Sequence, residues 1–258
     1  MRQAPVALNG WLASGGIAVA DTMAAGPWDA ITIDMQHGMG DFETVVHALR
    51  AISMTEVTPM VRVPWLEPGI IQRVLDAGSY GVICPMINTR VQCEAFVSAC
   101  RYAPRGTRSF GPVRASLYGG ADYWRHANDH VLALAMIETK EAMDNLDEIL
   151  DVKELDGIYI GPADLSLSFG VDVEPSAGLG NPRIEALVEI IRARVSAAGK
   201  YVLLHCTAVE HAVTMRDKGF SMLTIANDLK LLAMAQQAAI EKVRGAAAAA
   251  RQGTHHGY

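Results

Sequence analysis

The chain has 258 residues, 50% of them hydrophobic and 19% charged, with a formal net charge of −6. Such a length and apolar content suit one α/β barrel and leave ample material for a closed core. The acidic balance offers no electrostatic footprint for nucleic acid, and no apolar run reaches the roughly 18 residues of a membrane span, so small molecules and other subunits are the expected partners.

In chain order, short apolar runs alternate with helical patterns eight times. The expected strands are Ala7–Leu12, Ala30–Asp34, Thr58–Val63, Gly81–Cys84, Leu132–Glu138, Gly157–Ile160, Tyr201–His205 and Met222–Ala226. Between them fall the expected helices Gly16–Ala25, Phe42–Ser53, Pro68–Ala77, Val91–Cys100, Glu141–Leu150, Pro182–Ala198, Ala208–Lys218 and Asp228–Arg244. Pro68 and Pro182 stand at helix starts, and Gly78, Gly199 and Gly219 follow helix ends, the positions each residue type favours. Most strand runs are continuously apolar, as expected when helices cover one face of a parallel sheet and side chains fill the other. Eight such units imply a (β/α)8 barrel, one domain over residues 1–258 with 245–258 as a tail.

Two irregular stretches interrupt this rhythm. The connection from Arg101 to Val131 carries Arg105, Arg108, Arg114, Tyr118, Tyr123 and Trp124, and its length points to a functional or subunit-contact role. Phe169–Gly180 follows the sixth strand. Cys84, Cys93, Cys100 and Cys206 form no CxxC pair or zinc spacing and read as reduced buried thiols. Without a signal-peptide pattern at Met1–Pro5, the expected compartment is the cytoplasm.

In a barrel of this kind the reactive groups stand at the C-terminal strand ends. Those positions hold Asp34 and His37, Arg62, Pro85–Met86, Glu138, Asp164, His205 and Asn227–Asp228. Glu138 and Asp164 end neighbouring strand units, and two such carboxylates can hold a hard divalent cation by one edge. The small-residue turn Gly161-Pro162-Ala163-Asp164 lets backbone N–H groups approach an anion at a helix start. Each residue also has a structural reading. Glu138 could be an ion-paired helix cap, and Asp164 could N-cap a short helix over Leu165–Ser168. Arg62 could pair with Asp34 or Glu67, and His37 could be a satisfied loop histidine. His205 and Asp228 read as structural.

The runs Ile137–Asp147 (IETKEAMDNLD) and Asp156–Ser166 (DGIYIGPADLS) resemble those of the HpcH/HpaI aldolase family. Ile33–Gly38 (IDMQHG), Val61–Trp65 (VRVPW), Leu75–Gly78 (LDAG), Pro85–Met86 and Arg101–Gly106 (RYAPRG) extend the likeness from about Trp11 to Asp228. The resemblance implies a metal-dependent class II pyruvate aldolase on a TIM-type barrel, its eighth helix packed on a neighbouring subunit of a homohexamer built as a trimer of dimers. It makes Glu138 and Asp164 ligands of Mg²⁺, Mn²⁺ or Co²⁺. It sets Ala163 and Asp164 backbone against the keto-acid carboxylate, with Gly161, Pro162, Met136 and Trp11 also contacting substrate. Arg62 would stabilise the enolate, His37 would be the base, Asp76 would raise the basicity of His37, and Asp34 would orient it.

Met136 departs from the family's usual Gln, and Gln36 stands where many relatives carry Glu, so recognition around the keto acid is altered. The expected reaction is reversible cleavage of a 4-hydroxy-2-oxo acid to pyruvate or hydroxypyruvate and an aldehyde. Lys140, Lys153, Lys200, Lys218, Lys230 and Lys242 lie on helices or beside turns, which argues against a Schiff base. The competing expectation is a lyase acting on a CoA thioester, of the citrate-lyase β-subunit or malyl-CoA type, although no added segment for CoA is evident.

Overall fold

The computed structural model describes residues 6–172, 180–206 and 208–245. In chain order the elements are β1 (Ala7–Leu12), α1 (Ile17–Ala24), β2 (Ala30–Asp34), α2 (Phe42–Ile52), β3 (Thr58–Arg62), α3 (Pro68–Asp76), β4 (Gly81–Cys84) and α4 (Arg90–Cys100). They continue with α5 (Ala115–Gly119), α6 (Tyr123–His130), β5 (Leu132–Ile137), α7 (Lys140–Asp144), α8 (Leu146–Leu150), β6 (Gly157–Ile160) and α9 (Pro162–Ser168). The last are α10 (Pro182–Ala197), β7 (Tyr201–His205), α11 (Val209–Met215), β8 (Met222–Asn227) and α12 (Asp228–Arg244). All eight strands run parallel in sequence order, and β8 pairs back on β1 to close the barrel.

Local signals in the sequence set where the helices begin. Asp41 accepts from Thr44 N–H to start α2, Glu67 accepts from Gly69 and Ile70 ahead of Pro68, and Thr89 with Gln92 forms a reciprocal capping box on α4. Gly78 follows α3 at φ 107°, a backbone region open to glycine at little cost. One expected helix, Glu141–Leu150, is two short ones. The chain turns at Asn145, whose side-chain amide donates to the Asn88 carbonyl. The connection from Arg101 to Val131 is not wholly irregular, since it contains α5 and α6.

Side chains alternate across each strand. One set, with Ile31, Ile33, Val61, Val82, Ala133, Ile158 and Val202, packs outward under the helices. The other set, with Trp11, Ala30, Met60, Ile83, Leu134, Met136, Tyr159 and Leu203, fills the barrel interior. All four cysteines are free and buried, as the sequence suggested. From Leu232 onward α12 is exposed, and an apolar groove lined by Ala18, Val19, Met23, Leu229 and Leu232 opens between it and α1. Among the described residues no helix is long and apolar enough to cross a membrane. The expected tail lies almost wholly outside the described residues, as does most of Phe169–Gly180.

Candidate active site

Interior parity carries straight to the C-terminal rim. Asp34 continues the inward series Ala30–Thr32, Arg62 continues Met60, Glu138 continues Leu134–Met136, Gly161 continues Tyr159, and His205 continues Leu203. With Trp11, Ala13, His37, Met136, Pro162, Ala163, Asp164 and Asn227, these residues line an open cavity of about 240 Å³.

One wall is organised by Asp34. Strand register sets it opposite Arg62, whose Nε and Nη2 donate to Oδ1 and Oδ2 at 2.9 and 2.6 Å. Trp11 Nε1–H donates to Oδ2 at 3.2 Å, and the Gln36 and His37 backbone N–H groups donate to Oδ1. Burial alone would raise the pKa of Asp34. The hydrogen bonds and charge of Arg62, with the two backbone donors, bring it net below its ordinary 3.8. The carboxylate therefore fixes both Arg62 and the turn that carries His37. Gly38 completes that turn, because a Cβ there would lie 2.1 Å from the Asp34 carbonyl oxygen. Arg62 also lies 4.9 Å from the centroid of the Trp11 ring. Its Nη1 makes no hydrogen bond among the described residues, which leaves donors for an anion. Glu67, the other candidate partner, caps α3 instead.

The opposite wall carries the two acids. Glu138 is buried, and its Oε1 accepts from Met86 N–H at 2.7 Å. Met86 reaches that position at φ 56°, a left-handed conformation that strains a non-glycine residue at the edge of a functional site. Thr139 caps the following helix, so Glu138 is not a cap. Asp164 is not one either: Gly161 is the N-cap of α9, and Asp164 sits in its first turn, exposed to the cavity. Burial raises the Glu138 carboxyl to about 7, with the charge of Asp164 adding to it and Met86 N–H and Arg62 opposing it. The absent side chain of Gly161 clears the second oxygen, since a Cβ there would lie 2.5 Å from Glu138 Oε2.

A buried carboxylate with one oxygen anchored, the other clear, and a second acid close enough to perturb it is a donor set suited to a divalent cation. No group of three or more His, Cys, Asp or Glu with metal-holding geometry occurs among the described residues.

A family model described as HpcH/HpaI aldolase/citrate lyase matches residues 9–242. The chain belongs to this family. It is a carbon–carbon lyase of the aldolase class. It is 42% identical over 242 residues to a hydroxypyruvate/pyruvate aldolase of Rhizorhabdus wittichii, covering 92% of this chain and 94% of that one. It is 36% identical over 203 residues to a 2-keto-3-deoxy-L-rhamnonate aldolase of Escherichia coli, covering 78% and 74%. A solved HpcH/HpaI aldolase/citrate lyase family protein from Burkholderia cenocepacia superposes with TM-score 0.86 at 29% identity, covering 93% and 95%.

Within this HpcH/HpaI fold, one sequence expectation meets a different geometry. Asp76 is the last residue of α3, which runs from the C-terminal rim back to the N-terminal rim. Its carboxylate accepts from Arg108 Nη2 at 2.8 Å, so within one chain the structure does not bring Asp76 to His37. Asp228 is structural as read: it accepts from the Ala13 and Ser14 backbone and from Ser14 Oγ, tying the end of β1 to α12. His205, also read as structural, lines the cavity. The sequence reading puts Met86 on the rim without showing that its N–H holds Glu138, and it does not single out the side chain of Tyr159. The inward parity of β6 marks Tyr159, whereas nothing local marks the Met86 N–H.

Proposed function

We propose that the protein reversibly cleaves 4-hydroxy-2-oxo acids to pyruvate or hydroxypyruvate and an aldehyde, with a divalent cation held by Glu138 and Asp164. The observation that carries this reading is the convergence of the acid pair, Arg62 and His37 on one cavity. Aldolases of this family generally depend on a divalent metal. The thioester reading has less support, because both curated relatives described above are named aldolases.

A cation bound there supplies Lewis acidity toward the C2 carbonyl of the substrate. Ala163 and Asp164, in the first turn of α9, have N–H groups without intrahelical partners, and these receive the substrate carboxylate. Arg62, held by Asp34, offers its free Nη1 to the oxygen that gains charge as the C3–C4 bond breaks. His37 takes the proton from the C4 hydroxyl, and the electron pair of the O–H bond becomes the aldehyde carbonyl. The pair from the broken C3–C4 bond forms the enolate, which is then protonated at C3. Trp11 and Met136 wall the cavity.

For Asp76 to raise the basicity of His37 it would have to come from a second chain. The exposed apolar side of α12 and its groove against α1 support an assembly in which that helix packs on a neighbour, completing a hexamer. A sedimentation mass below that of a hexamer would sink that assembly.

The central test is exhaustive removal of divalent ions. Cleavage of a 4-hydroxy-2-oxo acid and exchange of pyruvate methyl protons in deuterated water should both vanish, and Mg²⁺, Mn²⁺ or Co²⁺ should restore them. Full activity in the stripped protein overturns the reading.

A further inference from the structure

Five buried or half-buried polar side chains form a chain of hydrogen bonds from the barrel interior to the cavity. Thr32 Oγ1 donates to Asn9 Oδ1 at 3.1 Å, and Asn9 Nδ2 donates to Thr224 Oγ1 at 2.9 Å. Thr224 Oγ1 lies 2.6 Å from Tyr159 Oη, which lies 2.9 Å from His205 Nδ1. Proton direction follows from satisfaction. Thr224 already receives the Asn9 amide, so among the described residues the acceptor left for its own proton is Tyr159 Oη. Tyr159 then donates to His205 Nδ1. Reversing the Asn9 amide would strand the Thr32 hydroxyl proton at a fully buried site, which costs more than a satisfied relay.

We infer that His205 holds its ring proton on Nε2 and presents it to the cavity as a neutral donor to a hydroxyl group of the substrate, which makes His205 a specificity-determining residue. Nδ1 is engaged on the buried side, and the rest of the ring lines the cavity edge-on to Trp11, with centroids 4.8 Å apart. Burial and the positive charge of Arg62 push the His205 pKa down to about 4, so the ring stays neutral in ordinary buffers. A neutral N–H suits a neutral oxygen, whereas a second substrate carboxylate would need a cation. The inference rests on the aldol reading above and adds the residue that reads a hydroxyl beside the reacting carbonyl of the substrate. That hydroxyl can come from the 2-oxo acid or from the aldehyde.

Two near-isosteric pairs separate these sources. Hydroxypyruvate is compared with 2-oxobutanoate as the nucleophile, and glycolaldehyde with propanal as the acceptor. The wild type should favour the hydroxylated member of one pair, and His205→Phe should lower that ratio of kcat/KM by about tenfold or more. His205→Gln, which restores a donor near Nε2, should recover part of it. If His205→Phe does not fold, Tyr159→Phe keeps the ring, removes the bond that fixes its tautomer, and should lower the same ratio. Unmoved ratios in these variants overturn the inference, as does a parallel fall for both members of each pair, which would mean contact with the shared carbonyl. A wild type that turns over none of the pairs overturns the aldol reading itself.

Discussion

Asp34 and Arg62 face each other in register across β2 and β3, joined by two hydrogen bonds, and the same carboxylate holds the turn bearing His37. Arg62→Ala should therefore cut turnover by about 10²-fold or more, the scale of losing a charge-stabilising donor. Asp34→Ala should lower turnover as well, since it frees both Arg62 and the His37 turn, and in addition cost about 3–5 kcal/mol of stability, because it leaves a buried guanidinium unpaired. Steady-state kinetics and chemical denaturation of both variants check these effects. The Asp34 carboxyl titrates below its ordinary 3.8, so its stabilising share is present above that pH and is lost as pH falls through the lower folded value.

Glu138 gives the opposite pH response. Its folded pKa of about 7 exceeds the ordinary 4.5, so between those values the metal-free folded protein holds a proton that the unfolded chain has released. Stability of the stripped protein should fall as pH rises across that window, and Glu138→Gln should flatten the slope. A cation competing for the same oxygen should bind more tightly as pH rises toward 7, with proton release below it. Calorimetric titration with Mn²⁺ in two buffers of different ionisation enthalpy measures that release. Affinity constant from pH 5.5 to 8 would count against Glu138 as a ligand.

Gly161→Ala should disable the site without disturbing the barrel. Gly161 has φ −103°, so alanine brings no backbone strain, but its Cβ would collide with Glu138 Oε2 and lie 3.0 Å from Met136 Cε. The expected result is an unchanged melting temperature within a few degrees, with at least tenfold weaker Mn²⁺ binding. Unchanged affinity would show that Glu138 Oε2 has room the structure denies it.

The sequence by itself determined the barrel. Eight apolar runs of strand length, punctuated by helix-start prolines and helix-end glycines, admit few other closures, and the strand bounds Ala7–Leu12, Ala30–Asp34 and Gly157–Ile160 agree with the structure to the residue. It also named both acids, Arg62 and His37, because a parallel barrel delivers its strand ends to one rim. Tertiary structure decided the rest. Asp34 as the hub depends on inter-strand register, which a continuously apolar strand does not encode by alternation. Within one chain a helix running back along the barrel carries Asp76 to the other rim, so the pairing with His37 that the resemblance implies needs a second chain. The Met86 N–H on Glu138 depends on one left-handed backbone angle. The His205 relay joins residues up to 215 positions apart, and such a contact exists only once the last strand has closed against the first.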